Sequence, residues 1–217
     1  MSTLNAAKPK IFIIGLPRTS TTSICLGMLD MGYTVSHTCY TQACLDDSEV
    51  IADTPVFTDY PLLDKLYPGS KFINLERDLA LWIPSIKHLL QRMHTNVTRG
   101  DGGYNTHIKR CFSEVFTPFT LDNVSDDEFL ARCYQQHQNG IEQYFQGRCD
   151  DLLSIDVSHA QSYQKLVDFL AIEQPIKGFQ QVNMGSKVRY WKDIKHVGKI
   201  ESTHNGRIDK DIYASTT

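Results

Sequence analysis

The chain has 217 residues, 41% hydrophobic, 22% charged and 10% aromatic. That length suits one sizeable domain, and the composition excludes disorder as the main state. A formal net charge of -3 supplies no global positive field for duplex DNA or an anionic membrane, so nucleic acid is not an expected partner.

The apolar run at residues 11–16 is too short to span a bilayer. Residues 1–8 lack the charged start and apolar core of a signal peptide. The six cysteines are scattered without a Cys-x-x-Cys pair. Together these features predict a cytoplasmic protein. The eight histidines show no His-x-x-x-His spacing, so no metal site is expected.

In chain order, residues 10–15 form a continuous apolar run ending in Gly15, the pattern of a strand buried on both faces. Residues 21–33 carry Ile24, Met28, Leu29 and Met31 at helical spacing, with Gly32 as a helix end. Residues 33–37 alternate like a second strand. Residues 60–67 read as a short helix closed by Pro68 and Gly69, and residues 71–76 as a strand. An apolar-periodic stretch then runs to Met93.

Between His94 and Asn123 the pattern weakens at Gly100, Gly102, Gly103 and Pro118. A stretch of this kind predicts a lid or acceptor-binding insertion over residues 94–125. Its Arg99, Lys109 and Arg110 suit either an anionic or sugar-like acceptor or a solvated face. Residues 126–145 read as a helix, 152–156 as a strand, and 162–171 as a helix ending near Pro175. The polar last 30 residues predict an extension of low local stability. Strands alternating with helices predict an α/β fold with a mostly parallel sheet.

The turn after the first strand reads Gly15-Leu16-Pro17-Arg18-Thr19-Ser20-Thr21-Thr22 and opens a helix. There, backbone amides and the helix dipole favour a phosphate or sulfate. The length matches a Walker A loop, but Ser20 replaces its second glycine and Thr21 its lysine, which disfavours ATP or GTP. The bland alternative is a strand–helix join with a capping threonine. Arg77 ends the strand at 71–76, with Ser85 eight residues on. Ligands of open α/β sheets bind beyond such strand ends, and arginine can pair with phosphate there. Without a ligand, Arg77 would pair with Asp78 or a neighbour.

Together these two elements resemble the sulfotransferases that use 3′-phosphoadenosine 5′-phosphosulfate (PAPS). Pro17, Arg18, Thr19, Ser20, Thr21 and Thr22 are similar to that family's 5′-phosphosulfate loop, and Arg77 and Ser85 to its 3′-phosphate element. The resemblance extends over roughly residues 10–183, through His37, Asp59-Tyr60-Pro61, Tyr67-Pro68-Gly69, Phe179 and Asn183, towards the branch with a G-x-P-R-T-G-T-T-S loop. Ser20 stands where that loop has glycine and is expected to crowd the sulfate. Pro84, just before Ser85, predicts a bend or a later helix start.

The resemblance implies a P-loop NTPase-like three-layer fold over residues 1–185, with an extension at 186–217. It implies sulfuryl transfer from PAPS to a hydroxyl or amine of a small-molecule or carbohydrate acceptor. The spent donor, adenosine 3′,5′-bisphosphate (PAP), is then the product, and no metal takes part. Arg18 is expected to neutralise charge on the leaving bridge as a fixed cation. Either His37, at a strand end, or Asp59, before a short helix, serves as base. The bland readings are a half-buried strand-end histidine and a helix cap, and His107 is a distant third. Two other functions stay open: a non-catalytic PAPS- or PAP-binding protein, motivated by Ser20 and Pro84, and a P-loop nucleotide or small-molecule kinase. Acceptor identity and oligomeric state are not legible.

Overall fold

The computed structural model describes residues 8–173, 179, 191–203 and 211–213. The leader reading at residues 1–7, the helix end near Pro175, Asn183 and much of the extension at 186–217 lie outside the described residues.

Five strands, β1 (Ile11–Ile13), β2 (Val35–Ser36), β3 (Val50–Ala52), β4 (Lys71–Leu75) and β5 (Leu152–Ile155), form one sheet in the order β2-β3-β1-β4-β5. Every pairing is parallel, with Phe12 opposite Ile51 on one side and Phe72 on the other. The helices are α1 (Thr21–Asp30), α2 (Gln42–Asp47), α3 (Val56–Leu66), α4 (Leu79–Thr98), α5 (Thr106–Val115), α6 (Asp127–Tyr144) and α7 (Ser162–Phe169).

The unbroken apolar run of β1 follows from this layering. Ile11 and Ile13 pack with Ile24, Met28 and Leu29 of α1 and Leu166 of α7. Phe12 and Ile14 pack on the opposite face with Leu63 of α3, Ile141 of α6 and Phe145 at its C-terminal end. Phe12, Ile13 and Ile14 are fully buried, each contributing about 1.5–3 kcal/mol from removal of apolar surface from water. The P-loop-like three-layer architecture expected from the resemblance is the one observed.

α1 stops where the sequence places its end. Gly32 has φ 94°, and its amide and that of Tyr33 donate to the carbonyls of Leu29 and Met28. That pair of bonds closes a Schellman cap. Two short elements were not expected, α2 and β3. α3 also starts four residues before the expected position.

A third cluster sits beside the sheet, where Trp82, Ile86 and Leu90 of α4 meet Phe112 and Phe116 near α5 and Leu130 and Tyr134 of α6. α4 continues past Met93 to Thr98, so the glycine run falls in the short α4–α5 turn. Described parts of the C-terminal extension return to the sheet. The amide of Val35 donates to Gly198 O (2.8 Å), and that of Ile200 to Val35 O (2.9 Å). Ile212 is buried there. Among the described residues no helix is long and apolar enough to cross a membrane.

Candidate active site

The carboxyl ends of β1 and β4 approach so closely that a Cβ on Gly15 would lie 2.5 Å from Leu75 Cβ. The following loop is pinned from both sides. Trp82 Nε1 donates to Pro17 O at 3.0 Å, and the buried Thr19 hydroxyl donates to Leu16 O at 2.7 Å. Arg18 and Ser20 both adopt φ 74°, the left-handed region that costs non-glycine residues of order 1–3 kcal/mol.

Ser20 is the N-cap of α1 in this left-handed state. The glycine of the resembled pattern therefore answers to backbone conformation at this position. The first helical amides bonded back are those of Ser23 and Ile24, both to Ser20 O. The amides of Thr21 and Thr22 precede them and have no intrahelical carbonyl to meet. A helix start of this kind, with threonine hydroxyls on it, fits an anionic oxygen.

Arg77 leaves β4 with its amide donating to the Tyr134 hydroxyl at 2.9 Å. Its Nη1 donates to Arg18 O at 2.6 Å. Asp78 does not take up Arg77 but caps α4, accepting from the Ala80 amide at 2.7 Å. Arg18 Nε donates to Ser85 Oγ at 2.8 Å. Residues Pro17 to Thr22, Arg77 and Ser85 thus belong to one bonded assembly. α4 begins at Leu79 and runs through Pro84, so the later start expected from that proline does not occur.

His37 follows β2, with Nε2 3.1 Å from Thr21 Oγ1 and 3.2 Å from Thr22 Oγ1. Burial pulls its pKa below the ordinary histidine value, and the nearby Asp53 carboxylate partly opposes this. The imidazole is therefore neutral near pH 7. Its ring lies 5.5 Å from that of Trp191, at 31°.

Asp59 sits in the first turn of α3, one turn inside the helix rather than at the N-cap, which is Pro55. It is buried. Its Oδ2 accepts from Arg110 Nη2 at 2.7 Å and from the Tyr213 hydroxyl at 2.9 Å. Asp59 thus ties α3 to α5 and the C-terminal segment, while His37 faces the loop after β1. His107 stacks on Tyr40 at 6.5 Å.

Sequence reasoning missed Asp53, Trp191 and Tyr213. Asp53 had a signal, because it directly follows the apolar triplet Val50-Ile51-Ala52 and so lies at a strand end. Trp191 and Tyr213 reach the site only through the tertiary return of the chain. Among the described residues no cluster of three or more His, Cys, Asp or Glu side chains is arranged to hold a metal.

No curated protein matches the chain. A family model described as a sulfotransferase domain matches residues 39–188, well over half of the 217 residues. The match includes β3 to α7, with Asp59, Arg77 and Ser85, and begins after the loop and His37. An all-parallel five-stranded sheet, an anion-suited helix start bonded to an arginine-bearing strand end, and this match have one common explanation: the chain belongs to the sulfotransferase domain family.

Proposed function

We propose that the chain transfers a sulfuryl group from PAPS to a hydroxyl or amine of a small-molecule or carbohydrate acceptor. Pro17, Arg18, Thr19, Ser20, Thr21 and Thr22 hold the 5′-phosphosulfate, and Arg77 and Ser85 hold the 3′-phosphate. The observation that carries this reading is the pair of bonds from Arg18 Nε to Ser85 Oγ and from Arg77 Nη1 to Arg18 O. They join two elements that a bisphosphorylated donor must touch at once. Each guanidinium carries five N–H donors in a planar fork, a geometry that suits phosphate oxygens.

Arg18 and the amides of Thr21 and Thr22 neutralise the charge that grows on the bridging oxygen as its bond to sulfur breaks. The acceptor oxygen or nitrogen bonds to sulfur, and His37 takes its proton at Nε2. His37 suits that role because it is neutral and faces the loop hydroxyls. Asp59 already accepts two bonds on Oδ2, which suits a tie between elements. The six free thiols, five of them buried, suit the cytoplasm, the compartment we propose.

The test is transfer of radiolabelled sulfate from PAPS to a panel of alcohols, phenols, amines and sugars. At least one acceptor becomes labelled on this proposal. PAP binding with no labelled acceptor would instead favour the non-catalytic binding protein. Magnesium-dependent phosphoryl transfer from ATP would favour the kinase.

A further inference from the structure

The C-terminal segment beyond the family domain is bonded to the chain on both sides of His37. Before it, Val35 exchanges two backbone bonds with Gly198 and Ile200. After it, the Thr38 and Ser202 hydroxyls are hydrogen-bonded, and the amide of Tyr40 donates to Ser202 O at 3.1 Å. This attachment presents Trp191 to the imidazole, with ring centroids 5.5 Å apart. Trp191 itself packs against the core between α1, α7 and the sheet.

We infer that Trp191 is a positioning residue for His37: the indole fixes the plane of the imidazole while the Thr21 and Thr22 hydroxyls fix its edge. The inference rests on His37 being the base of the proposed reaction. A histidine at a strand end has two side-chain torsions to fix. Hydrogen bonds to one nitrogen fix its direction but leave the ring free to rotate about that direction, and a packed aromatic face removes the remaining freedom. An indole face also attracts the imidazolium formed when the acceptor's proton is taken. Among the described residues, charged groups near the pair include Asp53 from the end of β3 and Lys199, whose Nζ lies 5.7 Å from the Trp191 ring centroid and pairs with Glu201.

Fluorescence tests the contact directly. The chain has two tryptophans, and the other, Trp82, is fully buried in the α4–α6 cluster. In the whole chain, acidification should quench Trp191 emission as His37 protonates, in a single step below the ordinary histidine value. The step should vanish in His37→Gln and in Trp191→Phe. A step that survives in His37→Gln, or no step in the parent, overturns the inference.

Turnover with PAPS and 4-nitrophenol, followed as PAP release, tests the purpose of the contact. Trp191→Ala should lose roughly tenfold or more in kcat, with PAP affinity near that of the parent, and Trp191→Phe should recover most of the loss. Parent-like kcat and an unshifted pH profile in Trp191→Ala would also overturn it. If His37→Gln turns over normally while the quenching step behaves as described, the base assignment fails and the ring contact stands.

Discussion

Arg18 and Ser85 lie 67 residues apart in the chain and meet through a 2.8 Å hydrogen bond between Nε and Oγ. The bond joins the loop after β1 to the second turn of α4. With Arg77 donating to the carbonyl of Arg18 itself, the residues assigned to opposite ends of PAPS form one mechanical unit. Their effects on binding and turnover are therefore coupled.

On the proposed function the 3′-phosphate does not change during transfer, so Arg77 would supply uniform binding, whereas Arg18 would face charge that grows. Arg77→Ala should weaken PAP binding by about 1.5–3 kcal/mol, the range for hydrogen bonds to charged groups. Arg18→Ala should bind PAP more nearly normally and lose on the order of a hundredfold in turnover. Because the Arg77 side chain bonds to the backbone carbonyl of Arg18, the two positions are coupled through the loop, and the double variant should depart from additivity by about 0.5–3 kcal/mol. Titrations and initial rates on the three variants check all of these values.

Ser20 holds a left-handed φ of 74°, so Ser20→Gly should relieve strain at some cost in unfolded-state entropy. A net stabilisation of about 0.5–1 kcal/mol is expected, with PAP affinity kept or improved. Urea unfolding measures the first and calorimetry the second. A destabilised glycine variant would contradict the strain account.

Gly15 has no room for a methyl group, since Leu75 contributes both backbone and side-chain atoms within 3 Å of the Cβ position. Gly15→Ala should cost about 1–3 kcal/mol as overpacking. It should also weaken PAP binding, because the loop and the end of β4 are forced apart. Thermal melts with and without PAP separate the two effects.

Stability should fall on acidification through His137. Burial pushes its pKa down to about 4. Its Nε2 bonds to Phe57 O at 2.9 Å, and its buried Nδ1 has no partner among the described residues. The unfolded histidine takes up its proton near pH 6.5, before the folded one does. This contribution is therefore fully present above the unfolded value and is lost as pH falls towards the folded one. The loss is at most about 3 kcal/mol at about 1.4 kcal/mol per pH unit. His137→Gln should flatten that slope in urea unfolding compared at about pH 7 and about pH 4.5. An unchanged slope would contradict the assignment.

The fold was legible where runs were long enough to show a period. β1, β4, α6 and β5 stand out because four or more consecutive positions carry the pattern, and Gly15 and Gly32 mark real ends. α2 and β3 were hidden because each is short, and acidic residues close α2 (Asp46 and Asp47) and directly precede β3 (Glu49). Pro84 read as a bend or a later helix start, yet α4 begins at Leu79 and the α4–α6 core, with Trp82 and Tyr134 ring centroids 4.8 Å apart, carries the helix through it.

The candidate site was legible in part for a related reason. Strand ends can be located from sequence, which exposed the loop, His37 and Arg77. Asp53 stayed hidden with β3, and Trp191 and Tyr213 because a chain returning from far downstream leaves no local signal. Ser20 adds a constraint that side-chain volume does not reveal, a left-handed φ of 74°.

The central claim is that the loop after β1, Arg77 and Ser85 together hold PAPS, and calorimetric titration of the folded chain with PAP tests it most directly. The account predicts saturable one-to-one binding that Arg77→Ala weakens by about 1.5–3 kcal/mol. No measurable heat of binding to the folded protein, or an Arg77→Ala variant that binds like the parent, would contradict it.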